Sequence, residues 1–160
     1  DRIAVMSHGR IEQVGTPDEV YLPPKTAFVA TFVGESNVLE GTIGDTADGM
    51  ARLATQEGVF AARNPAGLAP GAAAQLVVRP ERCRLAAPRD DANRLDGRVS
   101  RLDFEGSFVN LVLTLASGQE VAAQLANDGG LPALSSGEPV AIAFAPAAAL
   151  LLPPGAKAHG

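Results

Sequence analysis

The sequence predicts a mainly β protein, an OB-like small β-barrel that takes the form of either one barrel or two OB-like halves. Seventeen Gly and twelve Pro are spread along the chain, which indicates many short elements joined by turns. Apolar residues alternate with polar ones in several short segments, and no long helical segment separates these segments. Short strands with one apolar face are better accommodated in small closed barrels than in a flat sheet with open edges.

A β-hairpin and two short helices are expected to precede the barrel. Residues 3–6 and 11–14 are apolar-rich strands around a short polar link at 7–10. Thr16 is a suitable N-cap, Pro17 fits the first helical position, and Glu19 completes a capping box. A second helix is predicted over residues 26–33, ending at Gly34.

The barrel strands are predicted from period-two alternation after residue 37. Residues 109–115 and 121–125 form the clearest hairpin, with a turn at 116–119. Leu95 and Val99 alternate in one phase and Leu102 and Phe104 in the other, which predicts a β-bulge near Ser100 or Arg101. Further strands are expected at 38–43, 51–55, 59–62, 74–79 and 140–144, followed by a brief helical turn from Pro146 through Leu150.

Composition disfavours several classes of protein. The 160 residues carry a net charge of −5, which repels phosphate backbones and anionic lipid heads. No apolar run reaches the roughly 20 residues of a membrane-spanning helix. Cys83 is the single cysteine, so no disulfide framework is possible, and a small core residue is the favoured interpretation of it.

No catalytic, cofactor-binding or metal site is predicted. Gly is never followed by Lys, so the chain lacks a P-loop and we expect no independent ATP hydrolysis. Leu115-Ala116-Ser117-Gly118-Gln119 imitates the Gly-Gln end of a transporter ATPase signature, but it lies between two alternating strands and is predicted to be a hairpin turn. His8 and His159 have no potential metal ligand at a suitable spacing.

Two stretches are candidates for an interface or a ligand rim: Arg79 and Glu81 around Pro80, and Glu105-Gly106-Ser107. The structural interpretation is a corner, fixed by an Arg/Glu ion pair, and a bulged turn. The functional interpretation is a contact surface or a ligand-binding lip at the rim of the barrel.

Several motifs resemble the C-terminal part of the ATP-binding subunit of bacterial ABC importers. They are Asp1-Arg2-Ile3-Ala4-Val5-Met6, Gly9-Arg10-Ile11, Gln13-Val14-Gly15-Thr16-Pro17 and Phe32-Val33-Gly34-Glu35-Ser36-Asn37. Gly34-Glu35-Ser36-Asn37 followed by Leu39-Glu40-Gly41 is most similar to the polyamine (spermidine/putrescine) group. Val78-Arg79-Pro80-Glu81 and Gly106-Ser107 resemble the transport-associated OB (TOBE) domain of that family.

This resemblance implies that residues 1–34 are the end of a nucleotide-binding domain and residues 35–160 a transport-associated OB-like domain. It implies an accessory, regulatory and dimer-supporting role in polyamine uptake, at the cytoplasmic face of the bacterial inner membrane. The longer parent would bind ATP and Mg, and its partners would be a second copy of the subunit and the permease subunits. Neither nucleic acid nor direct membrane insertion is expected. The alternative functions are a domain that senses a small ligand, an oxyanion or the substrate, and an OB-type nucleic-acid binder, which the charge disfavours.

Overall fold

The computed structural model describes residues 3–7, 10–15, 36–88 and 93–154, and in these ranges the chain is mainly strand. This confirms the predicted fold class. The strands are β1 (Ile3–Ser7), β2 (Arg10–Gly15), β3 (Asn37–Ala47), β4 (Met50–Thr55), β5 (Gly58–Arg63), β6 (Ala73–Val78), β7 (Arg84–Leu85), β8 (Asn93–Glu105), β9 (Phe108–Leu115), β10 (Glu120–Ala126), β11 (Pro139–Phe144) and β12 (Leu150–Leu152). Two 3₁₀ turns, Pro80–Arg82 and Pro146–Ala148, precede β7 and β12.

β1 and β2 form an antiparallel two-stranded sheet. Ile3 pairs with Gly15 and Ser7 with Arg10, with a register shift between Val5 and Met6. The two helices predicted over residues 16–33, the histidines His8 and His159, and most of the polar stretch after Pro88 lie outside the described residues.

The first half of the fold is a closed five-stranded barrel in the order β12-β5-β4-β3-β6. Alternate side chains point into it, since successive residues of a strand face opposite sides of the sheet. Leu39, Leu53 and Leu76 are at most 1% exposed in its interior. Burial of these branched side chains is the main force that holds such a barrel closed.

The second half is a five-stranded sheet in the order β10-β9-β8-β11-β7. Its β9–β10 hairpin confirms the prediction, with Leu111 and Leu113 fully buried and Gly118 at φ 92° in the turn. The predicted bulge is also present, since the register of β8 on β9 shifts between Val99 and Arg101. Phe104, beyond the bulge, is 66% exposed because the hairpin of β8 and β9 continues past the core at that end.

The two halves have the same strand plan. Each begins with the pattern Asn-x-Leu-acidic-Gly, at residues 37–41 and 93–97. Asn37 pairs with Val78 on β6, and Asn93 pairs in the same way with Phe144 on β11. β3 carries a register shift after Ile43, at the position that corresponds to the bulge after Val99 in β8. The fold is therefore an internal duplication, which supports the expected pair of OB-like halves.

Each half takes its fifth strand from the chain that leaves the other half. β7 follows β6 of the first half but pairs with β11, where Leu85 lies opposite Ile142. β12 follows β11 of the second half but pairs with β6, where Leu151 lies opposite Leu76. Leu150 also pairs with Arg63 on β5 and closes the barrel. The exchange ties the halves together, and one continuous cluster of buried residues runs through both.

The exchanged strand β12 corrects one prediction. The helical turn that starts at Pro146 ends at Ala148, and Leu150 lies in a strand rather than in the turn. The physical reason is that one edge of β6 is open for a further strand at this point. Three consecutive leucines pair with that edge and become buried. An apolar run of this length is equally compatible with a strand or a helical turn until its partner is known.

The Gly of each repeated pattern is required by a close approach of two strands. A Cβ on Gly97 would lie 2.6 Å from the carbonyl oxygen of Thr114. A Cβ on Gly41 would overlap the carbonyl of Ala54 at the corresponding position of the first half. In the described part of the chain, no helix has the length and apolar character needed to span a membrane.

Candidate functional site

The first candidate stretch forms a corner where the two halves interlock, which we call the first corner: Asn37 and residues 79–83. β6 ends at Val78, the chain turns through Pro80–Arg82, and Cys83 leads into β7. Asn37 is 6% exposed. Its Nδ2 donates to the carbonyl of Ala122 at 2.8 Å, and its Oδ1 accepts from the Ala122 N–H at 2.8 Å. The side chain thus pairs with β10 as a neighbouring strand would, and satisfies both backbone groups.

The corresponding second corner consists of Asn93 and residues 145–149. Asn93 donates from Nδ2 to the carbonyl of Ala61 at 2.7 Å and accepts from the Ala61 N–H at 2.9 Å. Beneath it, Phe60 and Phe144 are stacked with their ring centroids 6.2 Å apart. Each half therefore begins with an asparagine that binds the backbone of the other half.

The two corners differ in charge although they share a backbone. Arg79 is 5% exposed, and its Nη1 donates to Ser36 Oγ at 2.7 Å, whereas Ala145 occupies the equivalent position. Glu81 and Arg82 are exposed, and their equivalents are Ala147 and Ala148. Because the second turn forms with proline and alanines, the 3₁₀ turn itself does not require charged residues.

Cys83 is a core residue of the first corner, which supports the interpretation from the sequence. Its side chain is 3% exposed, with Asn37 Nδ2 3.7 Å from the sulfur. Burial raises the pKa of the thiol to about 12, the Asn37 amide lowers it, and the charge of Glu81 raises it. The thiol therefore stays protonated and unreactive in the folded protein. Its equivalent in the second corner is Ala149, which is also buried.

The second candidate stretch forms the tight turn between β8 and β9. Gly106 adopts φ 71°, a conformation that favours glycine, and the Glu105 carboxylate accepts from Asn110 Nδ2 at 3.0 Å. Asn127 donates from its backbone N–H to the Ser107 carbonyl and from Nδ2 to the Gly106 carbonyl. These hydrogen bonds explain how the conformation of the turn is held.

The two candidate stretches lie apart on the second half. Beside the first corner, Arg101 of β8 pairs with Val112, and Val112 pairs with Ala122. Glu105 pairs with Phe108 at the far end of the same strands. The structure thus places Arg79 and Glu81 on one corner and Glu105, Gly106 and Ser107 on the tip of a hairpin.

A small cleft lies beside the first corner, with Ser36, Pro80, Arg101 and Glu120 in its lining. Its volume is about 190 Å³, below the roughly 300 Å³ at which pockets for small molecules begin. Within the described ranges, no group of three or more His, Cys, Asp or Glu side chains is placed to hold a metal ion. The cleft at this corner is therefore smaller than the usual pocket for a small molecule.

Residues 76–152 match the family model of the TOBE domain, and they include residues 79–83 of the first corner and the whole second corner. The chain is 33% identical over 161 residues to the spermidine/putrescine import ATP-binding protein PotA of Nitratidesulfovibrio vulgaris, covering 97% of this chain and 44% of that protein. It is 35% identical to PotA of Lawsonia intracellularis, covering 96% of this chain and 43% of that protein. The chain thus spans about two fifths of the length of these relatives, in their C-terminal part.

A crystal structure of the cytoplasmic molybdate-binding protein ModG with molybdate bound has a similar fold. The TM-score is 0.63 at 21% sequence identity, and the match covers 74% of this chain and 96% of the ModG chain. At this identity the likeness concerns the fold alone, and it supports the OB-like assignment of both halves.

Replacing either corner asparagine should destabilise the protein. Asn37→Ala or Asn93→Ala leaves an N–H and a carbonyl of the facing strand without a protein partner, which costs about 1–3 kcal/mol of unfolding free energy. Urea unfolding followed by circular dichroism measures this loss. Asn127→Ala is the matched control, because its side-chain bond to the Gly106 carbonyl is exposed. A loss at Asn37 no larger than that at Asn127 would contradict the proposed clamp.

Cys83 should make stability depend on alkaline pH. The folded thiol has a pKa of about 12 and the unfolded thiol one near 9.0, so its contribution is complete below pH 9 and decreases as the pH rises toward 12. Between pH 7.5 and pH 10 the wild-type protein should lose about 1 kcal/mol more unfolding free energy than Cys83→Ala. Alanine is a suitable replacement because Ala149 occupies the equivalent position. Equal losses in urea unfolding of the two proteins would show that the thiol is not buried.

Proposed function

The chain carries a TOBE domain and is a homologue of the C-terminal part of spermidine/putrescine import ATP-binding proteins, and from this premise we propose that it is the accessory domain of a polyamine-import ABC transporter. The observation that carries the proposal is the similarity along 97% of the chain at 33% identity. The longer parent protein would bind ATP with Mg and hydrolyse it to drive import. Residues 36–154 take no catalytic step in this proposal.

The accessory role is to support the pairing of two copies of the ATP-binding subunit. A support of this kind has to keep its shape while the subunits open and close. The exchanged strands and the two asparagine clamps supply that rigidity, because movement of one half against the other would break buried hydrogen bonds. In this proposal the domain works at the cytoplasmic face of the bacterial inner membrane, beside the permease subunits.

The first corner is the proposed contact surface. The second corner has alanines in place of the exposed Glu81 and Arg82. Both charged residues lie on a turn between the buried residues Pro80 and Cys83. The charges are therefore displayed at fixed positions, which lowers the entropy lost on binding. The similarity to ModG does not support the ligand-sensing alternative, because at 21% identity it concerns the fold and not molybdate binding.

The test replaces the contact charges in the full-length parent. Glu81→Ala/Arg82→Ala should lower spermidine uptake and subunit dimerisation about two- to tenfold, as expected for the loss of one or two exposed ionic contacts. Uptake is measured with radiolabelled spermidine in cells whose own polyamine importers are deleted, and dimerisation by light scattering. The thermal midpoint of the purified variant should stay within about 2 °C of the wild type.

Arg94→Ala/Asp96→Ala is the matched control, since it also removes one charge of each sign from an exposed pair, at 3.2 Å on β8 beside the second corner. It should leave uptake and dimerisation unchanged. Failure of the wild-type parent to import spermidine would overturn the polyamine assignment. Normal dimerisation of the first-corner variant would instead overturn the supporting role of that corner alone.

A further inference from the structure

The outer face of the first barrel carries an apolar row. Val38 on β3 pairs with Val77 on β6, and Val77 pairs with Leu150 on β12, so these side chains lie side by side. Their neighbours Leu39, Leu76 and Leu151 belong to the interior cluster, and alternation therefore points the row away from the barrel interior. The outer row consists of Val38, Val77, Leu150 and Leu152.

This outward-facing row is not exposed. Val77 is 4%, Leu150 6% and Leu152 2% exposed, and together they form a buried cluster separate from the interior. Among the described residues, Val38 is the partly buried apolar side chain that packs against this cluster. The Gln119 amide reaches one end of the row, where it donates to the Val38 carbonyl at 2.6 Å. An outer row of this apolar character is typical of an interface.

The second half provides an internal comparison. There the corresponding positions pair in the same register, with Arg94 opposite Ala143 and Ala143 opposite Arg84. Both arginines are exposed. At these positions the second half thus places an exposed arginine on either side of the buried Ala143, while the first half places valine and leucine. The apolar character of the first row is therefore not a requirement of the barrel.

The segment directly before β3 has the side chains and the position to cover this row. Residues 26–33 are Thr-Ala-Phe-Val-Ala-Thr-Phe-Val, in which Phe28 and Phe32 would share one side of a helix. Arg79 Nη1 donates to Ser36 Oγ at 2.7 Å, so Ser36, the first described residue after this segment, lies at the end of β6. Two residues separate the segment from Ser36, so three Cα–Cα steps of about 3.6 Å keep the end of the segment within about 11 Å of Ser36. Residues 155–160 also adjoin the row, but they offer no apolar side chain larger than alanine.

We propose that the outer row is the docking surface for residues 26–33 of the same chain, which fixes the preceding domain to the first barrel. The row then has an intramolecular partner, whereas the equivalent row of the second half presents the exposed Arg84 and Arg94. This inference does not depend on the nature of the transported solute or on the role of the first corner.

Disulfide trapping in the whole chain tests the proposal, with Cys83→Ala as the background. Val38→Cys is combined in turn with a cysteine at Phe28, Val29 or Phe32 and oxidised at low protein concentration. At least one pair should form a disulfide within one chain, identified by non-reducing electrophoresis and peptide mass spectrometry. Arg94→Cys, at the equivalent exposed position, is the matched control and should form none with the same partners.

Thiol labelling provides a second measurement that does not require disulfide geometry. A maleimide should label Val38→Cys at least about tenfold more slowly than Arg94→Cys, because the site opens only when the segment leaves. Phe28→Ser/Phe32→Ser should abolish that difference while circular dichroism stays β-like.

Disulfides that form only between chains would overturn the proposal in favour of a second copy as the occupant. Labelling of Val38→Cys as fast as Arg94→Cys would overturn it because the row is then open. Slow labelling without a disulfide in any pair would show that another part of the protein covers the row, and would also overturn it.

Discussion

The exchange of the fifth strands, β7 and β12, holds the two halves of the fold together. The first barrel closes only when β12 inserts between β5 and β6, and β12 is the end of the chain that has built the second half. The second half gains β7 from the chain leaving the first. Neither half can therefore complete its sheet before the other is in place. Contacts between residues so distant in sequence cost loop-closure entropy, but once formed they make unfolding cooperative.

The asparagine clamps complete this arrangement with polar chemistry. An isolated half would leave the outer edge of β5 or β10 with unpaired backbone groups, which promotes aggregation. Asn37 and Asn93 cover one residue of each edge with two hydrogen bonds. Since the bonds cross between halves, they fix the relative position of the halves more sharply than apolar packing alone. The charged corner at Pro80–Arg82 is part of this arrangement, and it differs from the second corner, whose turn is formed by proline and alanines.

Local patterns in the sequence were sufficient to predict the elements whose partners are near in the chain. The β9–β10 hairpin and the bulge in β8 depend on alternation and on a short turn, and both are confirmed. β12 depends on a distant partner, so the local sequence predicts Leu150 as the end of a helical turn rather than as the start of a strand. Asn37 and Asn93 were not identified as important, although the repeated Asn-x-Leu-acidic-Gly pattern was present and would have indicated the duplication. The roles of Arg79, Glu81, Glu105, Gly106 and Ser107 in an interface remain predictions, because their partner is another molecule.

Hydrogen exchange in increasing urea would show whether the exchanged strands make the two halves one folding unit. Mass spectrometry would follow amides of β3–β5 and of β8–β10 in the same sample. If the halves unfold as one unit, the slowest amides of both groups share one opening free energy and one dependence on urea. Protection of β8–β10 that persists after β3–β5 have exchanged would instead show that the second half is stable alone and that the exchanged strands do not join the halves into one unit.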